Sequence, residues 1–589
     1  MEKLNRSIIG VTMILALAFC LRVYHSGTYG IYLDEKYTMI ISQGIVMEGA
    51  NQKEVFFTPG KTVFTPAEFW KKKNLSDFIE ANIRGDIGNS PVYYGVLWVW
   101  MKIFGLSDFS ARFPSVLFST LIVLLLYVFV KRHFKSESLA LISAFLAAIE
   151  PFFVAYSHMA RNYSMSFFLT LLATHLFLLI VQKQRESKPT WKLLIAYGFT
   201  LTVSVLSHYL TVTVFMCHGL YVLLYVRPLV VWRTYLITAV AGLAMVSLWF
   251  IYGGGKYTFQ TLAYQAQLYK SVSLTNPLNN EFGEVLPATL VNVANKSLPV
   301  WADLFIISNG LGQLSTLGIR NLAIAFFFGI IAVGIFHRFR RKEKIPPAVL
   351  IVYPLLFLAG LPLFTVPNLQ LVVAAALPSF VYILAFGIRH YTTKKQQPLM
   401  VFLFILTLFP TLFLILMAFK NGHTYGITQR YSGFSFPYAV ILIAFMVKEL
   451  SEIPMIFRSV LAMTILLQFF FITRLLNAIY LDKAPKYTYF YIPRGPNPHY
   501  AAAQQIKKLY QPGDTVVYPS RRLYFRDDIE KTYWPYSIQD AQLTNLYLPK
   551  DAGYVQRMDT TEVDKIKLVK AGSRQEIVLF DLKGKTHRY

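Results

Sequence analysis

Two adjacent acids, Asp34 and Glu35, stand shortly after the first apolar run of the sequence, in Tyr32-Leu33-Asp34-Glu35. A carboxylate so placed can take the proton of an attacking hydroxyl. Three arginines, Arg112, Arg161 and Arg430, and one histidine, His208, stand where other apolar runs begin or end. Guanidinium groups at that depth pair with phosphate oxygens in bidentate fashion. Asp86, Asn89, Tyr93 and Tyr163 flank these positions and complete a polar inventory for binding substrate. A base beside a cluster of cations suits transfer of a group from a lipid-borne phosphate to a hydroxyl. No Gly-rich phosphate loop, Ser-His-Asp arrangement or Cys/His metal cluster is visible in the sequence. A nucleotide donor therefore fits poorly and no cofactor is called for, while a divalent cation stays open.

The elements that must hold these residues follow from composition. Of 589 residues, 55% are hydrophobic and only 15% charged, with a mean hydropathy of +0.45. Soluble domains carry about 25% charged residues. Here the apolar runs reach about 20 residues, the length that crosses a bilayer as a helix. The composition excludes disordered, collagen-like and disulfide-stapled proteins. The two cysteines, Cys20 and Cys217, lie inside apolar runs and read as small buried hydrophobes.

The net charge of +26 would suggest nucleic acid were it not partitioned. Basic clusters at Lys3/Arg6, Lys131-Arg132, Lys183 to Lys192, Arg227/Arg233, Arg338 to Lys344, Arg389 with Lys394-Lys395, and Lys448/Arg458 are separated by pairs of crossings. They mark one face, the cytoplasmic one by the positive-inside rule. About thirteen spans follow: residues 7–24, 113–131, 139–157, 164–181, 191–207, 209–226, 234–252, 320–337, 347–366, 369–388, 399–419, 433–447 and 457–476. The stretch Pro91 to Gly105 is too short to cross and is rich in Trp and Tyr, so it is expected to lie on the outer surface. The candidate acids and cations then collect at outer span ends, where ionisable groups are functional hypotheses. Residues 1–480 form the expected membrane domain, with outer loops at 25–112 and 253–318. Residues 481–589 turn polar and read as a small soluble α/β domain on the outer side, with a helix near Ala501, a strand at Thr515–Tyr518 and a closing strand near Glu576.

Several segments are similar to known motifs. Leu21-Arg22 through Asp34-Glu35 resembles the end of the first span and the Asp-Glu motif of GT-C membrane glycosyltransferases, in particular the protein O-mannosyltransferase-like family 39 enzymes and the lipid A aminoarabinose transferases. Asn89-Ser90-Pro91-Val92-Tyr93-Tyr94 resembles their His-Pro-Pro-Leu-Tyr-Tyr segment, with Asn89 in place of the histidine. Phe104-Gly105-Leu106-Ser107-Asp108 through Arg112-Phe113-Pro114-Ser115 is similar to their Phe-Gly-x-Ser-Glu-x-x-x-Arg-x-Pro-Ser stretch. Ala160-Arg161-Asn162-Tyr163-Ser164 and Ser207-His208-Tyr209 match two further turns. The likeness covers residues 15–225. It implies a GT-C fold and inverting transfer of a sugar from a polyprenyl phosphate. Asp34 would be the general base, with Glu35 orienting it or standing in for it. Arg112, Arg161, His208 and Arg430 would hold the donor phosphate, and Asp86, Asn89, Tyr93 and Tyr163 would line the substrate site.

The implied partners are the polyprenyl-phosphate sugar, a protein, glycolipid or polysaccharide acceptor, and membrane lipids; nucleic acid is not among them. The implied location is a bacterial inner membrane with the site outside. Each residue also has an ordinary reading: Arg112, Arg161 and Arg430 as headgroup anchors, His208 as a packing histidine, Lys71-Lys72-Lys73 as a solvated face. Two other classes compete, a secondary transporter and a non-catalytic lipid-binding membrane protein.

Overall fold

The structure is a computed structural model that describes residues 2–45, 63–69, 74–85, 90–280, 282–342, 344–484, 487, 496–520, 538–549 and 551–583. Asp86, Asn89 and the Lys71–Lys73 run lie outside the described residues.

The chain is mostly helical, as its hydropathy demands. Among the described residues, eight helices are long and apolar enough to cross a membrane, including Asp108–Phe134, Tyr163–Arg185, Leu229–Tyr252 and Met455–Tyr480. A ninth candidate is a bent pair, Glu137–Ile149 and Pro151–Ser157, which meet at 53°. Four shorter apolar helices, Ser7–Val23, Trp191–Ser207, Tyr209–Tyr225 and Pro347–Leu363, occupy the remaining positions where the sequence places spans. Thirteen crossings therefore require that these shorter helices also cross. The helix Pro91–Phe104 has only 14 residues and turns Trp98, Val99, Ile103 and Phe104 outward, as an interfacial helix would.

The segment expected to span over residues 139–157 is bent at Pro151. Proline has no N–H to offer Ala147 O four residues back, so the helix breaks there. Arg22, at the end of α1 (Glu2–Val23), fills the gap. Its fully buried guanidinium donates to Ala147 O and Ala148 O, both at 3.0 Å, to Ala18 O at 2.9 Å and to Ser119 Oγ at 2.7 Å. A charge in the bundle interior is tolerated because it meets the carbonyls that the bend releases.

Small residues let the later helices approach closely. A Cβ on Gly329 would lie 2.2 Å from Ala375 O, and one on Gly387 would lie 2.6 Å from Phe445 O. These contacts hold Ile319–Phe339, Gln370–Tyr391 and Gly433–Leu450 together by backbone proximity, as small residues do between membrane helices.

At the end of the bundle away from the basic clusters stands a five-stranded sheet in the order β1-β3-β2-β4-β5. Its strands are β1 (Val63–Phe64), β2 (Thr515–Pro519), β3 (Val555–Asp559), β4 (Lys565–Val569) and β5 (Glu576–Asp581). β2 and β3 run parallel across the helix Gln539–Asn545, and the other neighbours are antiparallel. The closing strand and the helix Pro498–Leu509 stand where the polar tail predicts them. The edge strand is different: β1 comes from the first outer loop, with Val63 opposite Arg557. The helix α2 (Leu33–Ser42) also joins this layer, because Met39 and Ile40 share one apolar cluster with Ala502, Ile506 and Leu543.

Candidate functional site

Asp34 and Glu35 occupy the first turn of α2, about 100° apart around the helix, and this separates their fates. Glu35 turns inward and is fully buried. Its Oε1 accepts from Arg112 Nε at 2.8 Å and from the Ala160 N–H at 2.7 Å. Its Oε2 accepts from Arg112 NH2 at 2.8 Å and from the Tyr32 N–H at 3.0 Å, the last bond closing the start of the helix. The other N–H groups of Arg112 reach Ser26 O at 2.9 Å, Tyr29 O at 2.7 Å and Gly30 O at 3.0 Å. A guanidinium has five N–H donors, and these contacts use them all.

This geometry corrects two readings from sequence. Arg112 is not placed to receive a phosphate, since it is 1% exposed and committed to Glu35 and the 26–30 turn. Glu35 is not placed as an alternate base, since both oxygens are engaged away from solvent. Together they anchor the N-terminus of α2.

Asp34 faces the other way, with its side chain one-third exposed. Arg430 NH1 lies 3.8 Å from Asp34 Oδ2, and the same guanidinium sits 4.6 Å from the centre of the Tyr431 ring. Arg161 approaches from the opposite turn: its NH1 donates to Thr38 Oγ1 at 3.0 Å, and lies 3.3 Å from Asp34 O and 3.4 Å from the Tyr94 hydroxyl. Thr38 follows Asp34 by one helical turn, so both lie on one face of α2. Arg430 beside the Asp34 carboxylate and Arg161 at the Asp34 carbonyl and Thr38 give this face two cations to one carboxylate, an excess of positive charge that suits an anion.

Neighbouring turns fix these cations in place. Ser115 Oγ donates to Arg161 O at 3.3 Å, and Asn162 Nδ2 donates to Ser90 Oγ at 2.7 Å and to Ser207 O. On the other side, Gln429 Nε2 donates to Asp303 Oδ2 at 3.0 Å, while Asp303 Oδ1 accepts the Gly310 N–H at 2.9 Å. Sequence reasoning did not mark Thr38, Tyr94, Asp303 or Gln429. Only the i, i+4 spacing of Thr38 and the position of Tyr94 beside Tyr93 carried a signal.

His208 lies beside this group but does not add charge to it. Its Nδ1 accepts the Leu210 N–H at 3.2 Å, which puts the proton of the neutral ring on Nε2. Its ring packs 5.7 Å from Tyr163 and 6.1 Å from Tyr431. Burial, reinforced by Arg161 and then Arg430, pushes its pKa down to about 3. The structure therefore offers a neutral imidazole where the sequence suggested a phosphate-binding cation. Tyr163 is buried against Tyr156 and His208. Tyr93 is fully buried with its hydroxyl 3.4 Å from Ser115 Oγ, so it packs the frame rather than facing a substrate. His158 likewise turns to the frame, with Nε2 3.0 Å from Arg22 O.

Among the described residues, no group of three His, Cys, Asp or Glu side chains could hold a metal ion.

Residues 89–252 match the family model described as dolichyl-phosphate-mannose-protein mannosyltransferase. The chain resembles the GT-C membrane glycosyltransferases. The matched segment of this GT-C-like chain contains Arg112, Arg161 and His208, whereas Asp34 and Arg430 lie outside it. No curated protein matches the chain by sequence. Among solved structures, it is similar to the oligosaccharyltransferase of Archaeoglobus fulgidus tethered with an acceptor peptide, at 14% identity and a TM-score of 0.42. That likeness covers 85% of this chain and 57% of the other. It is also similar to ArnT of Cupriavidus metallidurans in the apo state, at 13% identity and a TM-score of 0.36, over 93% of this chain and 86% of the other. A further structure of that ArnT is bound to undecaprenyl phosphate. The GT-C-like chain thus spans little more than half the length of the archaeal structure it matches.

Proposed function

We propose that this chain is a membrane glycosyltransferase that moves a sugar from a polyprenyl phosphate to an acceptor hydroxyl. The observation that carries the reading is the one-third exposed Asp34 carboxylate beside Arg430, with Arg161 held on the same face of α2 through Thr38 and the Asp34 backbone carbonyl, at the end of the bundle away from the basic clusters. The family match over residues 89–252 supports the same chemistry.

In this reading Asp34 accepts the proton of the acceptor hydroxyl as its oxygen attacks the anomeric carbon. The bond from that carbon to the phosphate oxygen breaks, and polyprenyl phosphate leaves carrying the electron pair. Attack opposite to the leaving group inverts the anomeric configuration. Arg430 and Arg161 stabilise the charge that grows on the departing phosphate. An arriving phosphate competes with Asp34 for Arg430, so binding of the donor frees the base for the acceptor. His208 contributes an N–H and ring packing rather than charge. Asp86 and Asn89, outside the described residues, keep their proposed substrate-lining roles. The acceptor is a protein, glycolipid or polysaccharide hydroxyl. The positive-inside rule puts the site on the outer face of the membrane, here assigned to a bacterial inner membrane.

The test is transfer itself. Purified chain in lipid vesicles, supplied with a radiolabelled polyprenyl-phosphate sugar and an acceptor extract, is expected to release polyprenyl phosphate and label the acceptor. Wild-type turnover in Asp34→Asn would remove the proposed base. A reporter fusion that places residue 34 on the cytoplasmic side would sink the site as a whole.

A further inference from the structure

α2 is held between two bodies. Its Asp34/Thr38 face meets Arg161 and Arg430. Its opposite face, through Met39 and Ile40, belongs to the apolar cluster of the C-terminal domain. The same cluster takes in Ala111 and Ala160, the residues next to Arg112 and Arg161. Lys36, buried on this side, lies near Asp540 and His499 of that domain.

A polar clasp crosses the boundary beside this packing. Tyr547 of the C-terminal domain donates its hydroxyl proton to Asp108 Oδ1 at 2.7 Å. Asn497 Nδ2 donates to both Asp108 oxygens, at 3.0 and 3.2 Å, and lies 2.8 Å from the Tyr547 hydroxyl. Asn497 also caps its own helix, its Oδ1 accepting from the N–H groups of His499 and Tyr500. The donor is thereby held by a rigid element. Asp108 precedes Arg112 by one turn of the same helix, and Arg112 grips Glu35. A series of links runs from Tyr547 to Asp108, along one helical turn to Arg112, across to Glu35 and so to its chain neighbour Asp34.

We propose that the C-terminal domain is a positioning element of the transfer site, holding the Asp34 helix from behind through the Tyr547–Asp108 clasp and the shared apolar packing. Asp108, Tyr547 and Asn497 are positioning residues, since they touch neither Asp34 nor the two site arginines. The inference rests on the function proposed above for its catalytic consequence, and on geometry alone for the coupling.

The experiment uses the full chain in nanodiscs, as wild type, Tyr547→Phe, Asp108→Asn and the double variant. Tyr547→Phe keeps the ring and removes only the hydroxyl, with its hydrogen bonds to Asp108 and Asn497, so it preserves packing. Hydrogen exchange of the α2 amides and the kinetics of sugar transfer are measured on the same preparations. The expected result is faster exchange in Leu33–Ser42, unchanged exchange in the spans, and kcat lower by roughly tenfold with KM for the donor unchanged. The double variant should cost no more than the worse single one, because both remove the same contact. Unaltered α2 exchange overturns the coupling, and wild-type kcat with faster exchange overturns its catalytic importance. If wild type itself transfers no sugar, the functional reading falls, and α2 exchange still decides whether the domain holds the helix.

Discussion

Arg430 NH1 stands 3.8 Å from Asp34 Oδ2, although the two residues come from opposite ends of the membrane domain. The pair is loose and partly exposed, unlike the buried bidentate pair that Glu35 makes next door. A loose pair at the surface contributes little to stability, about 0–1 kcal/mol. Substitutions there should therefore separate function from folding.

Asp34→Asn keeps the size of the side chain but removes the proposed base. Turnover is expected to fall by about 10²–10⁴, the range for loss of a general base, with thermal unfolding unchanged. Initial rates of polyprenyl phosphate release alongside melting curves check both halves.

Arg430→Ala should weaken donor binding, raising KM for the polyprenyl-phosphate sugar by about 10–100-fold, as expected for loss of a charge-assisted contact. Arg430→Lys should recover part of this, because it restores charge but not the planar fork. Equal KM values in all three proteins would show that Arg430 does not meet the phosphate.

Glu35→Gln and Arg112→Met should behave differently, as folding defects. Each strands the other's buried group, at a cost of about 3–5 kcal/mol. Substituting both with apolar residues should recover much of that stability without recovering turnover. Detergent-resistance melting of the singles and the double variant tests this.

His208 sets an acid limit on stability. Its folded pKa, about 3, lies below the ordinary value of about 6.5. Between these two values the unfolded chain binds a proton that the folded chain does not. Stability is therefore fully present above about pH 6.5 and falls as pH drops towards 3. His208→Gln should flatten the fall in melting temperature between pH 6.5 and 4.5. The wild-type pH profile of donor binding should show no step from His208 in the same range.

The spans were legible because hydropathy is local: any run of about 20 apolar residues declares itself. The bend at Pro151 was legible in principle, yet the apolar run is unbroken across it. The candidate site divides more sharply. Asp34 and Glu35 are indistinguishable as letters; only the helix start at Tyr32, which aims them about 100° apart, decides which one is buried. Arg112 looks like a phosphate ligand because it lies at a span end. Besides Glu35, its acceptors are three carbonyls of the 26–30 turn, and backbone atoms leave no mark in a sequence. Arg430 could be named from its span-end position, but its meeting with Asp34 depends on the packing of every helix between them.

The pairing of β1 with β3 also imposes an order on biosynthesis. Val63 emerges early and waits for Arg557, which is made on the order of a minute later at ordinary elongation rates. Until then the first outer loop has an open strand edge, and α2 lacks the layer that packs against Met39 and Ile40. A nascent or truncated chain can thus hold its membrane helices before the layer behind α2 is complete, and the proposed site takes its final form only when the last strands have been delivered.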